Sequence, residues 1–344
     1  MSVAARRRDR IAALGAGRMG RGIATAFAYA GHEVRLVDVK PRASAAAEAL
    51  RGEAIAEIDA SLAAMAAWGA FDDSLRPRVL QRVRFAARDE AAAALADADF
   101  VFEGVPEVID AKHEAFAFVG AHARPDAVVA STTSTFLVTQ LAGFVERPAR
   151  FLNAHWLNPA HVIPLVELSA HDGTSPEASR SLHALLESIG KVPVHCRAAP
   201  GYIVPRLQSL IMNEAARMIE QGVASAEEID RATRYGLGFR FANMGVVEFI
   251  DYGGNDILYY ASRYLAQALG DERYASPPIV DRYMREGRNG LRDGRGFHDY
   301  DGIDPARYRS ETLGRMLGML SHAGLLRAPA TDEYDRPTST GGAS

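Results

Sequence analysis

Residues 10–39 read RIAALGAGRMGRGIATAFAYAGHEVRLVDV, and the architecture can be worked outward from them. Ile11 to Leu14 is a short apolar run of strand character. Arg18 to Ala30 holds helix-favouring residues, with Met19, Ile23, Ala26 and Phe27 on one face. Gly31 follows as a C-cap, and Glu33 to Val39 returns to strand. The pattern predicts strand, helix, strand. Where the first strand meets the helix stands Gly15-Ala16-Gly17-Arg18-Met19-Gly20, a G-x-G-x-x-G. The first glycine permits a tight turn. The second lets a pyrophosphate approach the N–H groups of the helix start, and the third lets helix and strand pack closely.

A glycine turn of this kind can also bind nothing. Here Asp38, eighteen residues after Gly20, ends the second strand. Its carboxylate accepts from a ribose 2′-hydroxyl and repels a 2′-phosphate. Gly15, Gly17, Gly20 and Asp38 are therefore candidate cofactor-binding residues, and NAD is expected over NADP, although Lys40 and Arg42 leave room for the phosphorylated form.

From Ala43 to Trp68 the chain is alanine-rich, with Leu50, Ile55, Ile58, Leu62 and Met65 at helical spacing, and a second helix follows Phe71-Asp72-Asp73-Ser74. This reads as a helical excursion from the sheet. Strands return at Arg82 to Phe85, ADFVFEGV, AVVASTTS and ARFLNAHW, short apolar runs separated by helical stretches, as buried parallel strands require. Strands around Pro164 to Leu168 and Val192 to His195 close the far edge. After Ala198-Ala199-Pro200-Gly201 the residues Pro205 to Gln221 and Ala226 to Tyr235 are amphipathic, and few strand signals follow. The fold class is α/β: an N-terminal Rossmann-type doubly wound sheet with a helical excursion, then an all-helical C-terminal domain. The expected domains are 1–198 for NAD binding, 199–325 for substrate and dimerisation, and a disordered tail over 326–344 rich in Pro, Thr, Ser and Gly.

A chain of 344 residues is long enough for two such domains, and its hydrophobic fraction of 48% with 24% charged residues is that of a globular protein. A net charge of −4, with no basic face or interleaved aromatics, argues against nucleic acid and against an anionic membrane. The single cysteine, Cys196, excludes an intrachain disulfide framework and any multi-cysteine metal site, so no metal is expected and a reducing cytoplasm fits. Arg6, Arg7, Arg8 and Arg10 read as a frayed basic arm before the first strand, because the apolar run after them breaks at Gly15. No apolar run has the length needed to cross a bilayer.

A second stretch carries chemistry. In NAHWLNPAHVIPLVELS, residues 153–169, Ala149 to His155 reads as a strand, Trp156 to His161 as a turn held by Pro159, and Val162 to Ser169 as the next strand. His155 and Glu167 can then face each other. A carboxylate on one ring nitrogen fixes the tautomer and leaves the other nitrogen to take a proton from a substrate hydroxyl. The pair is a candidate general base. A satisfied structural His–Glu contact would have the same spacing.

Taken in order, GAGRMG, FEGVPEVIDAK, STTSTF, HWLNPAHVIPLVEL, PGYIVPR, MNEAARMIEQGVA and GRNGLRDGRGFHDY resemble the NAD-dependent 3-hydroxyacyl-CoA dehydrogenase family from about residue 10 to 303. The resemblance implies oxidation of a 3-hydroxyacyl substrate to its 3-keto form by hydride transfer, with short-chain 3-hydroxyacyl-CoA as the default substrate, in a homodimer. It implies that Ser134 hydrogen-bonds the substrate oxygen, that His155 is the base and that Glu167 orients it. Glu107, Lys112, Ser134 and Asn158 fall at cofactor-side positions. On the residues alone, Glu107 and Lys112 would be a solvated helix start and Asn158 a turn residue before Pro159.

The chain also departs from the family. Pro205 stands where the family has an asparagine amide near the substrate oxygen, and proline offers no donor. Asn213 is no simple replacement, because eight helical residues span about 12 Å. Ser61 is kept in the excursion that helps hold CoA, but the lysine expected seven residues later is Trp68, and 44–73 holds no lysine. The segment IPLVEL lacks the usual lysine and FANMGVVEF a usual proline. The Ile-Pro-Leu form looks more like the gulonate and carnitine dehydrogenase relatives, which act on free hydroxy acids. That alternative substrate class, or a bulkier 3-keto compound in a pocket shaped by Trp68 and Trp156, stands beside the acyl-CoA reading. A third reading is an NAD-binding protein without turnover, against which the joint presence of Ser134, His155 and Glu167 argues.

Overall fold

The computed structural model describes residues 8–329. The expected basic arm up to Arg7, and the expected tail from 330 onward, lie outside the described residues. The chain divides into two compact units that part after Asn213.

In the first unit the opening stretch folds as β1 (Ile11–Leu14), α1 (Arg18–Tyr29) and β2 (Val34–Val37). The excursion is α2 (Ser44–Ala67), followed by a short turn and the helix Arg76–Leu80. Six further strands follow: β3 (Val83–Ala86), β4 (Phe100–Glu103), β5 (Val128–Ser131), β6 (Phe151–Trp156), β7 (Leu165–Ser169) and β8 (Val192–Cys196). Together they form one sheet in the order β3-β2-β1-β4-β5-β6-β7-β8. Every neighbouring pair is parallel except β6 with β7. The order reverses direction at β1 and β4, and in such sheets a crevice opens there beyond the carboxyl ends of the strands.

Both sheet faces are covered, which is why the strands read as unbroken apolar runs. Ile11 and Ala13 join a core with Phe27 of α1, Ile58 of α2 and Leu182 of the helix Pro176–Ser188. Ala12 and Leu14 face the other way, into a core with Leu95 of the helix Ala91–Ala96 and Phe116 of the helix Ile109–His122. Phe27 lies 5.2 Å from Phe102 and 6.0 Å from Trp156 between ring centroids, in offset geometries that aromatic quadrupoles favour.

Two expected boundaries move for physical reasons. β7 begins at Leu165, not Val162, because Pro164 has no N–H for the ladder and offers only its carbonyl, which accepts from Val192 N–H at 2.8 Å. Trp156 belongs to β6 and is 1% exposed, so the turn starts one residue later than the sequence suggests.

The second unit is helical, with Ala226–Ala232, Val246–Gly253, Asn255–Leu269, Pro278–Arg285 and Pro305–His322 as its main helices. Its glycine-rich GRNGLRDGRGFHDY stretch folds around the buried carboxylate of Asp251. That carboxylate accepts from the backbone N–H of Phe297 at 2.9 Å and His298 at 2.7 Å and from the Tyr300 hydroxyl at 3.3 Å.

Phe27→Ala should lower the unfolding free energy of the first unit by about 3 kcal/mol or more, as large-to-small changes at buried aromatics do. Trp68→Ala, at a side chain 92% exposed, should change it by less than about 0.5 kcal/mol. Urea unfolding of the two variants checks both, and similar costs would contradict the core assignment.

Candidate active site

A cleft of about 930 Å³ opens at the carboxyl ends of the strands. Its floor is the glycine turn. Gly15 has φ +106°, and a Cβ there would sit 2.8 Å from the Gly104 carbonyl oxygen, so the turns after β1 and β4 approach as closely as backbone allows. A Cβ on Gly20 would lie 1.9 Å from the Gly15 carbonyl oxygen, which is the close packing of helix on strand that the third glycine serves. Gly17 caps α1 without a side chain, and nothing lies within 4 Å of where its Cβ would be. An anion can therefore reach the first N–H groups of the helix.

At one end of the cleft stands Asp38, just past β2 and 5% exposed. Arg42 forms an ion pair with its carboxylate, and the Lys40 N–H donates to it at 3.4 Å. Of the two basic residues that left room for a phosphorylated cofactor, Arg42 thus has its side chain on this carboxylate, while Lys40 meets it only through its backbone. The open glycine cradle with an acid at ribose distance in sequence fits a dinucleotide.

The His–Glu question is answered by the sheet. β6 and β7 are antiparallel with His155 directly opposite Glu167. His155 Nδ1 is 2.8 Å from Glu167 Oε2. Glu167 is 0% exposed, and its other oxygen accepts from the backbone N–H of Ile203 at 2.8 Å and Val204 at 2.9 Å. Burial alone would push this carboxyl up, but the His155 hydrogen bond and the two amides outweigh it and hold it below its ordinary value. A carboxylate at Nδ1 makes that nitrogen the donor and leaves Nε2 as the acceptor. His155 also lines the cleft.

Gly15, Gly17, Asp38, Glu107, Ser134, His155 and Asn158 all line this one cleft. Glu167 stands behind His155, and Gly20 lies under the turn. Glu107 holds the Ser134 loop: its oxygens accept from Ser134 N–H at 2.7 Å and the Thr133 hydroxyl at 2.9 Å. Lys112 is neither on the cleft wall nor on a solvated surface. It is 1% exposed, and its Nζ reaches both oxygens of the buried Glu103 at 3.0 and 3.2 Å, with Glu107 at 3.7 Å. Trp156 lines the cleft while Trp68 does not.

Sequence reasoning missed three neighbours. Glu103, an acid inside the apolar run FVFE, was a visible signal and takes Lys112, the Ser131 hydroxyl at 2.6 Å and the Val105 N–H at 2.8 Å. Tyr202 stacks on His155, and nothing in its spacing announced that. Gln208 lines the cleft one helical turn beyond Pro205, which lines it too.

A doubly wound sheet with a glycine cradle, an acid just past the second strand and an oriented imidazole in one cleft is an arrangement that suits an NAD-dependent dehydrogenase. Residues 10–199 match the model of the 3-hydroxyacyl-CoA dehydrogenase NAD-binding domain, and residues 201–300 match the C-terminal domain of the same family. The chain belongs to the 3-hydroxyacyl-CoA dehydrogenase family and is an NAD-dependent oxidoreductase. It is 33% identical to a 3-hydroxybutyryl-CoA dehydrogenase of Bradyrhizobium diazoefficiens, over 87% of this chain and 98% of that protein. It is 34% identical to an L-carnitine dehydrogenase of Pseudomonas aeruginosa, over 90% of this chain and 93% of that one. The crystal structure of a 3-hydroxyacyl-CoA dehydrogenase from Archaeoglobus fulgidus superposes with a TM-score of 0.72 at 32% identity, covering 93% of this chain and all of that one.

Because the folded Glu167 carboxyl titrates below its unfolded value, its contribution to stability is complete above the ordinary carboxylate range and is lost as pH falls through the folded value. The stability gap between the wild type and Glu167→Gln should therefore be widest near neutral pH and shrink in acid. Urea unfolding across that range checks this, and a gap that is constant or grows in acid would contradict it.

Proposed function

We propose that the chain interconverts a 3-hydroxyacyl group and its 3-keto form, with His155 as general base. The observation that carries this reading is that an imidazole oriented by a buried carboxylate opens onto the same cleft as the glycine cradle. In the oxidative direction, His155 Nε2 takes the proton of the 3-hydroxyl group. Glu167 stabilises the imidazolium that forms, and the Ser134 hydroxyl donates to the substrate oxygen. The C3–H bond breaks with its electron pair, and bound NAD supplies the acceptor for that hydride. In the reductive direction His155 returns the proton.

Glu107 and Asn158 line the nicotinamide side of the cleft in this reading, and Lys112 acts from behind by holding Glu107 through its charge. In this reading Gln208, which lines the same cleft and whose Nε2 rests on Met212 Sδ at 3.4 Å, takes over the contact that the family's asparagine makes, because Pro205 has no donor.

The default substrate is a short-chain 3-hydroxyacyl-CoA such as 3-hydroxybutyryl-CoA. A specific observation favours a second reading, a free hydroxy acid of the carnitine or gulonate kind. The basic side chain of α2, Arg51, is ion-paired with Glu48 and Glu90, and Arg21 of α1 is paired with Glu57 and Glu53 of α2. A CoA phosphate on that helix would meet cations already neutralised.

The assembly we propose is a cytoplasmic homodimer. The second unit exposes Ile257, Tyr260, Tyr264 and Leu269 along the helix Asn255–Leu269, apolar surface of the kind a second copy covers.

His155→Ala should lower turnover by about 10³-fold with NAD affinity within about threefold of wild type, read from NADH absorbance and NAD titration. Retained turnover would remove the base assignment. Assayed side by side, 3-hydroxybutyryl-CoA should support NADH formation; activity confined to uncoupled hydroxy acids would decide for the second reading. Light scattering after size exclusion should give twice the chain mass, and a monomer would contradict the dimer.

A further inference from the structure

Tyr202 is held in a conformation that residues with side chains seldom adopt. Its φ is 45°, the one positive value at a non-glycine position among the described residues. The conformation places the phenol ring flat against His155, with centroids 4.8 Å apart and planes 14° from parallel. The Tyr202 hydroxyl donates to the Thr133 carbonyl at 2.9 Å and accepts from Asn153 Nδ2 at 2.9 Å. Thr133 immediately precedes Ser134, so the same ring is tied to the loop that carries the other substrate-side hydroxyl. The next two amides in the chain, Ile203 and Val204, are those that bind Glu167. One turn therefore holds the His–Glu pair from two directions, the carboxylate by its free oxygen and the imidazole by its face. Burial pushes the Tyr202 phenol far above its ordinary value, so it serves as a neutral hydroxyl and takes no proton itself.

We propose that Tyr202 is a positioning residue, whose ring confines the His155 imidazole to the plane in which Nε2 meets the substrate hydroxyl. The proposal rests on His155 being the base. A hydrogen bond at Nδ1 alone leaves the imidazole free to tilt about that bond, and displacements of the order of 1 Å at a reacting atom cost about 100-fold in rate.

The test compares Tyr202→Leu, Tyr202→Met and Tyr202→Phe with His155→Ala, using whichever substrate supports NADH formation. Leu and Met remove the flat face and should lower kcat by about 10- to 100-fold, while the Kd for NAD stays within about threefold. Tyr202→Phe keeps the face and should recover kcat to within about threefold of wild type. In ¹⁵N spectra the His155 ring should keep its Nδ1–H tautomer in all three proteins, because Glu167 sets it, with sharp ring signals in the wild type and in Tyr202→Phe and signals broadened by ring motion in Tyr202→Leu. Wild-type kcat in Leu and Met, or a loss in Phe as deep as theirs, would overturn the proposal. So would loss of NAD binding together with turnover in both, which would make Tyr202 a packing residue. His155→Ala separates this from the parent reading: if that variant keeps its turnover, the base assignment itself has failed.

Discussion

The buried carboxylate of Glu167 is the constraint around which the cleft is organised. An ionised carboxylate with no solvent contact is unstable by several kcal/mol unless hydrogen-bond donors replace the water it has lost. Here three donors do so: the imidazole of His155 and the amides of Ile203 and Val204. They come from different parts of the chain, a central strand and the turn that leads into the helix Val204–Glu220. Satisfying one charge thus fixes the rotation of a histidine and the path of a turn. The antiparallel pairing of β6 with β7 makes this possible, because in that register the two side chains stand directly opposite on the same sheet face.

Placing His155 on the same cleft as the glycine turn is the work of the parallel strands. β1, β4, β5 and β6 run the same way, so the segments that leave them emerge at one end of the sheet. Those segments are the glycine turn, the Gly104 to Glu107 stretch, the Thr132 to Ser134 loop and the end of β6 next to His155. The close approach of Gly15 to Gly104 opens the crevice where the strand order reverses. A second buried ion pair, Lys112 with Glu103, lies beneath that wall and leads through Glu107 to Ser134. Lys112 thus ties two carboxylates, Glu103 and Glu107, together behind the cleft wall.

The glycine turn, the two flanking strands and the acid at the end of the second one were legible in the sequence because each depends on local backbone requirements. The His155–Glu167 contact was legible as well, since a turn with a proline between two apolar runs implies a register, and a register implies which side chains meet. What escaped were relations set by tertiary packing. Lys112 reads as a surface residue at a helix start until β4 is seen to place Glu103 beneath it. Tyr202 reads as one more aromatic in PGYIVPR, because a positive φ at a non-glycine leaves no mark in composition or spacing. Trp68 looked like pocket material by residue type, yet it projects into solvent at the end of α2.

The most direct measurement is a crystal structure of a ternary complex with NAD and the oxidised substrate. The account predicts pyrophosphate on the Gly17 end of α1, the nicotinamide ring between Ser134 and Asn158, and the substrate's C3 oxygen within hydrogen-bond distance of His155 Nε2. A complex in which that oxygen is held away from His155, with the imidazole facing only protein, would contradict it.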